Sequence, residues 1–168
     1  MSVEIPLTRG FVAIVDDEDA DLAALKWYAQ RHRRTVYASR GSSGSRMRLH
    51  RAIGDRIGLE GLVDHINGDG LDNRRANLRS ATNSQNLANR PRQVNNTSGF
   101  KGVSWDKRTH RWYVRAKLKG KEHFIGRFRD PVDAAKAYDR KVTELFGGFA
   151  YLNFPGPTTP TPTEEPTR

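Results

Sequence analysis

A carboxylate and an imidazole stand side by side in this sequence at Asp64 and His65, and amide side chains follow at Asn77 and Asn86. Carboxylate and amide oxygens are hard ligands that suit Mg²⁺ or Mn²⁺. A neutral histidine beside such an ion can take a proton from water, because its ordinary pKa is about 6.5. One divalent ion and one general base are sufficient to hydrolyse a phosphodiester bond.

A strand, a turn and a second strand must position the acid and the imidazole. Asn-Gly and Asp-Gly turn signals occupy residues 67–70, so a strand that ends at His65 turns back and returns over residues 77–81. Adjacent strand residues point to opposite faces. Asp64 and His65 therefore address one site only if the strand twists or ends there.

A short helix follows the hairpin. Thr82 and Gln85 form the pattern Thr-x-x-Gln, a capping box that predicts the start of a helix. This helix presents Asn86 on its first turns and must end by Pro91.

The same residues also fit a structural role. Asparagine commonly forms turns, and this role fits Asn67, Asn73 and Asn77. Asp64 could be a loop residue whose carboxylate is hydrogen-bonded within the fold and has no catalytic role. On an isolated Asp-His pair, the catalytic and the structural interpretations both stay open.

The spacing of these residues resembles the HNH endonuclease family, whose ββα-metal unit serves phage and intron-encoded homing endonucleases. The resemblance spans residues 47–90. It implies that Asp64 and Asn86 are metal ligands, that His65 is the general base and that Asn77 orients it through a hydrogen bond. Asn86 stands where the commonest form of the family has a histidine, a feature shared by some homing members, and this implies weaker metal affinity.

His50 is a further candidate within this stretch. It could contact a DNA phosphate, and the alternative that residue statistics favour is a partly buried structural histidine.

Composition limits the classes of protein that remain. The chain has 168 residues, no cysteine and a net charge of +10. The lack of cysteine excludes a disulfide framework, a zinc ribbon, an iron–sulfur cluster and a thiol nucleophile. No apolar run approaches the roughly 20 residues of a membrane span, and the N-terminus lacks a signal-peptide layout. We therefore expect a protein that is not secreted and that lies in the cytoplasm of a bacterial or phage-infected host cell, with no membrane partner and no small-molecule cofactor.

The positive charge is concentrated beyond residue 40. Residues 41–98 carry nine basic against five acidic side chains, and residues 99–150 carry thirteen against six. A basic surface favours polyanions, because neutralised phosphates release condensed counterions. A solvated face kept for solubility is the alternative.

Residues 111–119 alternate between an apolar and a basic face, as in a half-buried strand. Residues 122–128 return as a partner strand, and residues 100–105 supply a third. Asp130-Pro131 begins a helix that ends at Gly147-Gly148. The pattern predicts a three-stranded antiparallel sheet with one face on a helix and the other face cationic and aromatic. That face either binds DNA or is a solvated surface whose charges deter aggregation.

Residues 99–155 resemble the APETALA/ethylene-response-factor DNA-binding domain of plant transcription factors. The matching motifs are Gly102-Val103, Trp112-x-Val-x-Ala, Ile125-Gly-x-Phe128, Ala134-Ala135-x-Ala-Tyr-Asp139 and Leu152-Asn-Phe-Pro155. The resemblance and the alternation together imply a set of DNA contacts: Lys101, Arg111, Tyr113, Arg115, Lys117, Phe124 and Arg127. Ser104 and Phe124 replace residues usual in that domain, so the plant target sequence does not carry over.

These patterns predict an α+β chain in which an N-terminal ββα-metal HNH module precedes a three-stranded antiparallel sheet packed on one helix. The nuclease module covers residues 1–94, with a scaffold over 1–46 and the ββα-metal core over 47–90. The DNA-binding domain covers 99–154, and the Pro/Thr-rich tail over 155–168 is predicted to be disordered.

The function predicted is site-specific hydrolysis of double-stranded DNA with Mg²⁺ or Mn²⁺, by a homing-type enzyme in which a single active site nicks one strand. A monomer is favoured over a dimer. The alternative is a non-catalytic DNA-binding regulator with a degenerate HNH unit. For residues 1–40, a scaffold is favoured over DNA contact by Arg31, Arg33 and Arg34.

Overall fold

The computed structural model describes residues 1–32, 35–41 and 45–156. The predictions for Arg33 and Arg34, for the middle of the loop over 41–45 and for the tail beyond 156 lie outside this range. Helices and strands are mixed, as predicted, in two compact units, one over Met1–Asn86 and one that begins at Leu87. No helix within the described ranges is both long enough and apolar enough to cross a membrane.

The first unit is built from short antiparallel strands around two small α-helices. Its strands are β1 (Ser2–Pro6), β2 (Val12–Asp16), β3 (Tyr28–His32), β4 (Thr35–Arg40), β5 (Met47–Arg48), β6 (Leu62–His65) and β7 (Leu78–Ala81). The helices are α1 (Leu49–Arg56) and α2 (Asn83–Ala88), with 3-10 turns over Thr8–Gly10, Asp17–Ala24 and Arg75–Asn77. The sheets are β1-β2, β3-β4-β5 and β6-β7.

The core of this unit closes around α1. Leu49 and Ile53 are fully buried on one face of the helix, with Ile5 and Val15 from the first hairpin in the same cluster. Burial of these side chains removes apolar surface from water and is the main stabilising contribution of the unit.

A buried ion-pair network joins the N-terminal segment to the rest of the unit. Asp19 is completely buried, and its carboxylate pairs with Arg56 of α1 at 3.2 Å and with Arg75 at 2.8 Å. A buried carboxylate is tolerated because charged partners compensate it. The network fixes the 3-10 turn over Asp17–Ala24.

The N-terminal hairpin also holds the loop that follows β6. Ile14 of β2 donates its N–H to the Leu71 carbonyl and accepts from the Asn73 N–H, both at 2.8 Å. Asp16 Oδ2 accepts from the Arg75 N–H at 2.7 Å. Two backbone hydrogen bonds and one to the Asp16 side chain therefore hold residues 71–75 against β2.

The second unit is a three-stranded sheet against one long helix. Its elements are β8 (Val103–Asp106), β9 (Arg111–Leu118), β10 (Lys121–Phe128), α3 (Pro131–Phe146) and a 3-10 turn over Gly147–Phe149. The strands are antiparallel in the order β10-β9-β8, with a bulge between Phe124 and Gly126. The Asp130 side chain caps α3 by accepting from the Val132 and Asp133 N–H groups.

Close packing of α3 on the sheet depends on Gly102. This residue has a φ of +77°, and a Cβ there would lie 2.1 Å from ring carbons of the buried Tyr138. Only glycine combines that backbone conformation with so near an aromatic neighbour.

The boundary between the units lies earlier than the predicted break at 95–98. Ala88 packs against the core of the second unit, and its carbonyl accepts from the Tyr151 N–H at 3.1 Å. Residues 87–94, which the sequence analysis placed in the nuclease module, therefore fall in the second unit.

Candidate active site

Asp64 is a buried carboxylate on β6 that faces an arginine on the paired strand. The register places it directly opposite Arg79 of β7. Asp64 Oδ2 lies 3.0 Å from Arg79 Nη2 and 3.1 Å from Arg79 Nε. A guanidinium is a strong partner for a carboxylate, because it can donate two hydrogen bonds from a fixed, planar group.

His65 is the last residue of β6 and is 5% exposed. Its ring lies edge-on to His50, with centroids 4.8 Å apart, and 5.9 Å from the ring of Tyr37. Adjacent residues of a strand point to opposite faces, so Asp64 and His65 could address one site only if the strand twisted or ended there. In the structure, β6 ends at His65. The imidazole is thus held in an aromatic enclosure of α1 and β4.

The environment of His65 favours its neutral form. Burial lowers its pKa below the ordinary value, opposed by the hydrogen bond to Asn73 and by the charges of Asp64, Asp69 and Asp72. A neutral imidazole is the form that can accept a proton from water.

Asn73 fixes which nitrogen of His65 carries the proton. Asn73 is completely buried, and its Nδ2 donates to the Leu71 carbonyl at 2.9 Å. Because a carbonyl only accepts, the amide must present Oδ1 to His65 Nε2, which lies 3.2 Å away. Nε2 therefore donates, and the lone pair of the ring lies on Nδ1.

The contacts of Asn77 differ from the expectation that it bonds to His65. Its Nδ2 donates to Asn67 Oδ1 at 3.0 Å and to the Asp72 carbonyl at 2.7 Å. Its Oδ1 accepts from the Asn67 N–H at 3.1 Å. Asn77 holds the loop together, and the amide on His65 Nε2 belongs to Asn73. The sequence offered no signal for this, because Asn73 has the same local character as the neighbouring turn-forming asparagines.

His50 fits the structural alternative better than a phosphate contact. It is 5% exposed on α1, and its Nδ1 has no hydrogen-bond partner among the described residues. Burial, together with the charges of His65, Arg48 and Arg51, lowers the pKa of His50 to about 3. A neutral ring carries no positive charge to attract a phosphate, so the phosphate contact predicted for His50 gains no support from its environment.

Asn86 lies on the first turns of α2, as predicted. Thr82 and Gln85 form the reciprocal capping box, since the Thr82 N–H donates to Gln85 Oε1 at 2.8 Å and the Gln85 N–H to Thr82 Oγ1 at 3.3 Å. The Asn86 N–H donates to the Thr82 carbonyl at 2.9 Å, and its side chain is half-buried.

The donor set fits a hard divalent cation rather than a soft metal. Within the described ranges, no group of three or more His, Cys, Asp or Glu side chains is placed to hold a metal ion. The carboxylate of Asp64 and the amide oxygen of Asn86 are oxygen donors, the kind preferred by Mg²⁺, which keeps several of its waters. The guanidinium of Arg79 is a competitor for that carboxylate.

In the second unit, an aromatic and cationic surface covers the sheet face opposite α3. Tyr113 stacks on Phe124 with centroids 5.1 Å apart, and the Arg127 guanidinium lies over both rings at 5.4 and 5.2 Å. Arg115 pairs with the exposed Glu122 at 2.7 Å. Arg111 and Lys117 lie on the same face by alternation along β9. We call this face the sheet surface.

Lys101 is not part of the sheet surface. Its Nζ donates to the Ala88 carbonyl and lies 5.5 Å from the centre of the Tyr151 ring. Burial lowers the pKa of Lys101 to about 8. This placement corrects the prediction that Lys101 contacts DNA, because its ammonium is used inside the second unit.

The region therefore consists of a hairpin whose first strand ends in Asp64 and His65, followed by a short helix that carries Asn86. A family model described as HNH endonuclease matches residues 57–88, which hold β6, β7 and α2. An uncharacterized HNH endonuclease of Acanthamoeba polyphaga mimivirus is 33% identical over 153 residues, covering 87% of this chain and 75% of that protein. The chain belongs to the HNH endonuclease family.

A second relative covers a shorter stretch. Protein 3.8 of Escherichia phage T7 is 38% identical over 88 residues, which is 52% of this chain and 72% of that protein. No solved structure matches the chain. Membership in the family indicates a nuclease and, with it, DNA binding, and HNH nucleases generally use divalent metal ions.

Proposed function

We propose that this chain is a site-specific, homing-type endonuclease that hydrolyses one phosphodiester bond of double-stranded DNA per engagement. The observation that carries the proposal is the buried, neutral His65, whose Nε2 is engaged by Asn73 so that Nδ1 is the basic atom. Asp64 and Asn86 are the proposed ligands of Mg²⁺ or Mn²⁺.

In the proposed reaction, His65 Nδ1 takes a proton from the attacking water. Asn73 keeps the ring in the required tautomer and orientation through the Nε2 hydrogen bond. A divalent ion bound at the site supplies stabilisation of the charge that develops on the phosphoryl and leaving oxygens. A single site in a monomer hydrolyses one strand, so the product is a nick.

The direct test is relaxation of supercoiled plasmid DNA that contains a binding site for the protein. We expect nicked circles with Mg²⁺ or Mn²⁺ and none with excess EDTA. Linear product in a single engagement, or nicking that EDTA leaves unchanged, would contradict the proposal.

A non-catalytic regulator is the second candidate, and the Asp64–Arg79 ion pair is the observation that favours it. An arginine that permanently occupied the carboxylate would exclude a cation. Under this alternative, the protein binds DNA tightly and leaves plasmid intact with either metal.

Asn73→Ala is expected to lower the nicking rate by about 10–100-fold, because the ring loses the partner that fixes its tautomer. The ¹⁵N signals of the His65 imidazole provide a readout independent of rate, and we expect loss of the Nε2–H form. Asn95→Ala, an exposed asparagine outside the site, is the matched control. Unchanged imidazole signals with a wild-type rate would exclude Asn73 from positioning the base.

We further propose that the sheet surface grips DNA in the manner of the APETALA/ethylene-response-factor domain. Arg111, Arg115, Lys117 and Arg127 would contact bases or phosphates, while Tyr113 and Phe124 would pack near the sugars. The exposed Phe124, 55% accessible, and the cationic side chains around it support this proposal.

Arg115→Ala combined with Lys117→Ala should weaken DNA binding and reduce the slope of log K against log salt by up to about 1.8, since each lost phosphate contact removes about 0.9. Fluorescence anisotropy between 50 and 200 mM salt, a range of roughly one half-decade, measures this slope. Lys136→Ala with Arg140→Ala, exposed on α3, removes the same charge and should leave the slope unchanged. If both pairs of substitutions lower the slope equally, the sheet surface contributes only to the net charge of the protein and does not contact DNA directly.

A further inference from the structure

An arginine-lined groove lies in the first unit. Its volume is about 360 Å³, and Arg9, Arg31 and Arg46 contribute to its walls. All three side chains are exposed, no carboxylate lines the groove, and among the described residues none of the three forms an ion pair. We call it the arginine groove.

Three separate segments of the chain contribute these arginines to the groove. Arg9 lies in the 3-10 turn over Thr8–Gly10, which is tied to β3 because the Ala29 N–H donates to Thr8 Oγ1 at 3.1 Å. Arg31 lies on β3, and Arg46 directly precedes β5. Three arginines therefore line one groove, and no carboxylate lines it.

β4 contributes residues both to the arginine groove and to the enclosure of His65. Ser39 lines the groove, and Tyr37, two residues earlier on the same face, contacts the rings of both His50 and His65. Two residues of a strand span about 7 Å. That distance equals about two nucleotide rises of a DNA strand.

Arg48 bridges the two regions. It pairs with Ser39 in the sheet register, and its guanidinium lies 4.9 Å over the ring of Tyr37. Among the described residues, Arg48 also forms no ion pair. Arg48 therefore lies beside both Tyr37, which contacts His65, and Ser39, which lines the arginine groove.

We infer that Arg48 and the arginine groove bind phosphates of the DNA strand that enters the active site, within a few nucleotides of the bond that is cut. This inference rests on the proposed function and adds to it a second DNA contact, on the nuclease unit itself. A guanidinium group matches the geometry of a phosphate and can donate two hydrogen bonds to it. Several arginines that form no ion pair among the described residues therefore fit the phosphates of a DNA strand.

The test compares salt slopes in a His65→Ala background, so that DNA stays intact during the measurement. The probe is a random-sequence 40-base-pair duplex, long enough for roughly four helical turns. We expect Arg9→Ala with Arg46→Ala to lower the slope by up to about 1.8, and Lys136→Ala with Arg140→Ala to leave it unchanged. Equal salt slopes for the Arg9→Ala, Arg46→Ala variant and its His65→Ala parent would overturn the inference. The same result is expected if the groove binds an acidic protein segment instead of DNA.

A second measurement locates the DNA. The chain has no cysteine, so Tyr28→Cys, at an exposed position on the groove, gives a single attachment point for an iron chelate that cleaves DNA by hydroxyl radicals. On plasmid that the wild type nicks, we expect radical cuts within a few nucleotides of the nick. Cuts confined to distant sequence would overturn the inference while leaving the nuclease proposal intact. If the wild type never nicks but the groove variant lowers the slope, the nuclease proposal fails and the DNA contact stands.

Discussion

His65→Ala is expected to lower the rate of plasmid nicking by about 10²- to 10⁴-fold, the range by which a general base accelerates such reactions. DNA affinity should stay within about twofold of wild type, because His65 is buried and contributes no surface charge to the interface. The measurement pairs plasmid relaxation in Mg²⁺ or Mn²⁺ with fluorescence anisotropy on the same DNA.

The matched control for this variant is His32→Ala, since His32 is exposed at the end of β3. It should nick at the wild-type rate. If His65→Ala nicks as fast as the control, the base is another group. If wild type and variant are equally inert on DNA that both bind, the regulator alternative replaces the nuclease.

Asp64→Asn is expected to weaken Mn²⁺ binding by at least about tenfold and to lower nicking correspondingly, because a neutral amide loses the charge that attracts a divalent ion. Electron paramagnetic resonance of Mn²⁺ measures affinity directly and does not depend on turnover. The variant also leaves the guanidinium of Arg79 without its buried charge partner, at a cost of up to about 3–5 kcal/mol in stability. Thermal unfolding should therefore accompany the binding measurement.

Asp55→Asn provides the comparison for Asp64→Asn, since Asp55 is an exposed acid on α1. It should bind Mn²⁺ as the wild type does. Equal Mn²⁺ affinity in a folded Asp64→Asn protein would exclude Asp64 as a ligand and assign the carboxylate to the structural pair with Arg79.

Local sequence signals predicted the elements that carry the candidate site. The turn residues over 67–70 and the capping box at Thr82 and Gln85 act within a few residues of one another, so hairpin and helix could be placed from the sequence. The alternation over 111–119 likewise predicted β9, because a half-buried strand shows its apolar and polar faces within its own sequence.

The contacts made within the site could not be predicted in the same way. Asn73 meets His65 because β2 holds its loop through Ile14, a partner distant in sequence. Lys101 was predicted on the DNA-binding face, yet it precedes β8, and its contacts with Ala88 and Tyr151, both distant in sequence, remove it from that face. Propensity and spacing carry no information about such long-range partners.

The segment before β6 shows the same limit at the level of secondary structure. No helix is predicted from the sequence around His50. The structure has α1 there, and its buried Leu49, His50 and Ile53 follow helical spacing. Packing of that face into the core, rather than propensity, decides the conformation.

The most direct test of the proposed centre is a crystal of the protein with Mn²⁺ and a DNA duplex that contains its binding site. We expect an anomalous peak about 2.1 Å from an oxygen of Asp64 and from the amide oxygen of Asn86, with the guanidinium of Arg79 moved off the carboxylate and His65 Nδ1 facing the scissile phosphate. A complex in which Arg79 still holds Asp64 and the ion binds elsewhere would contradict the proposal and leave a protein that binds DNA without cutting it.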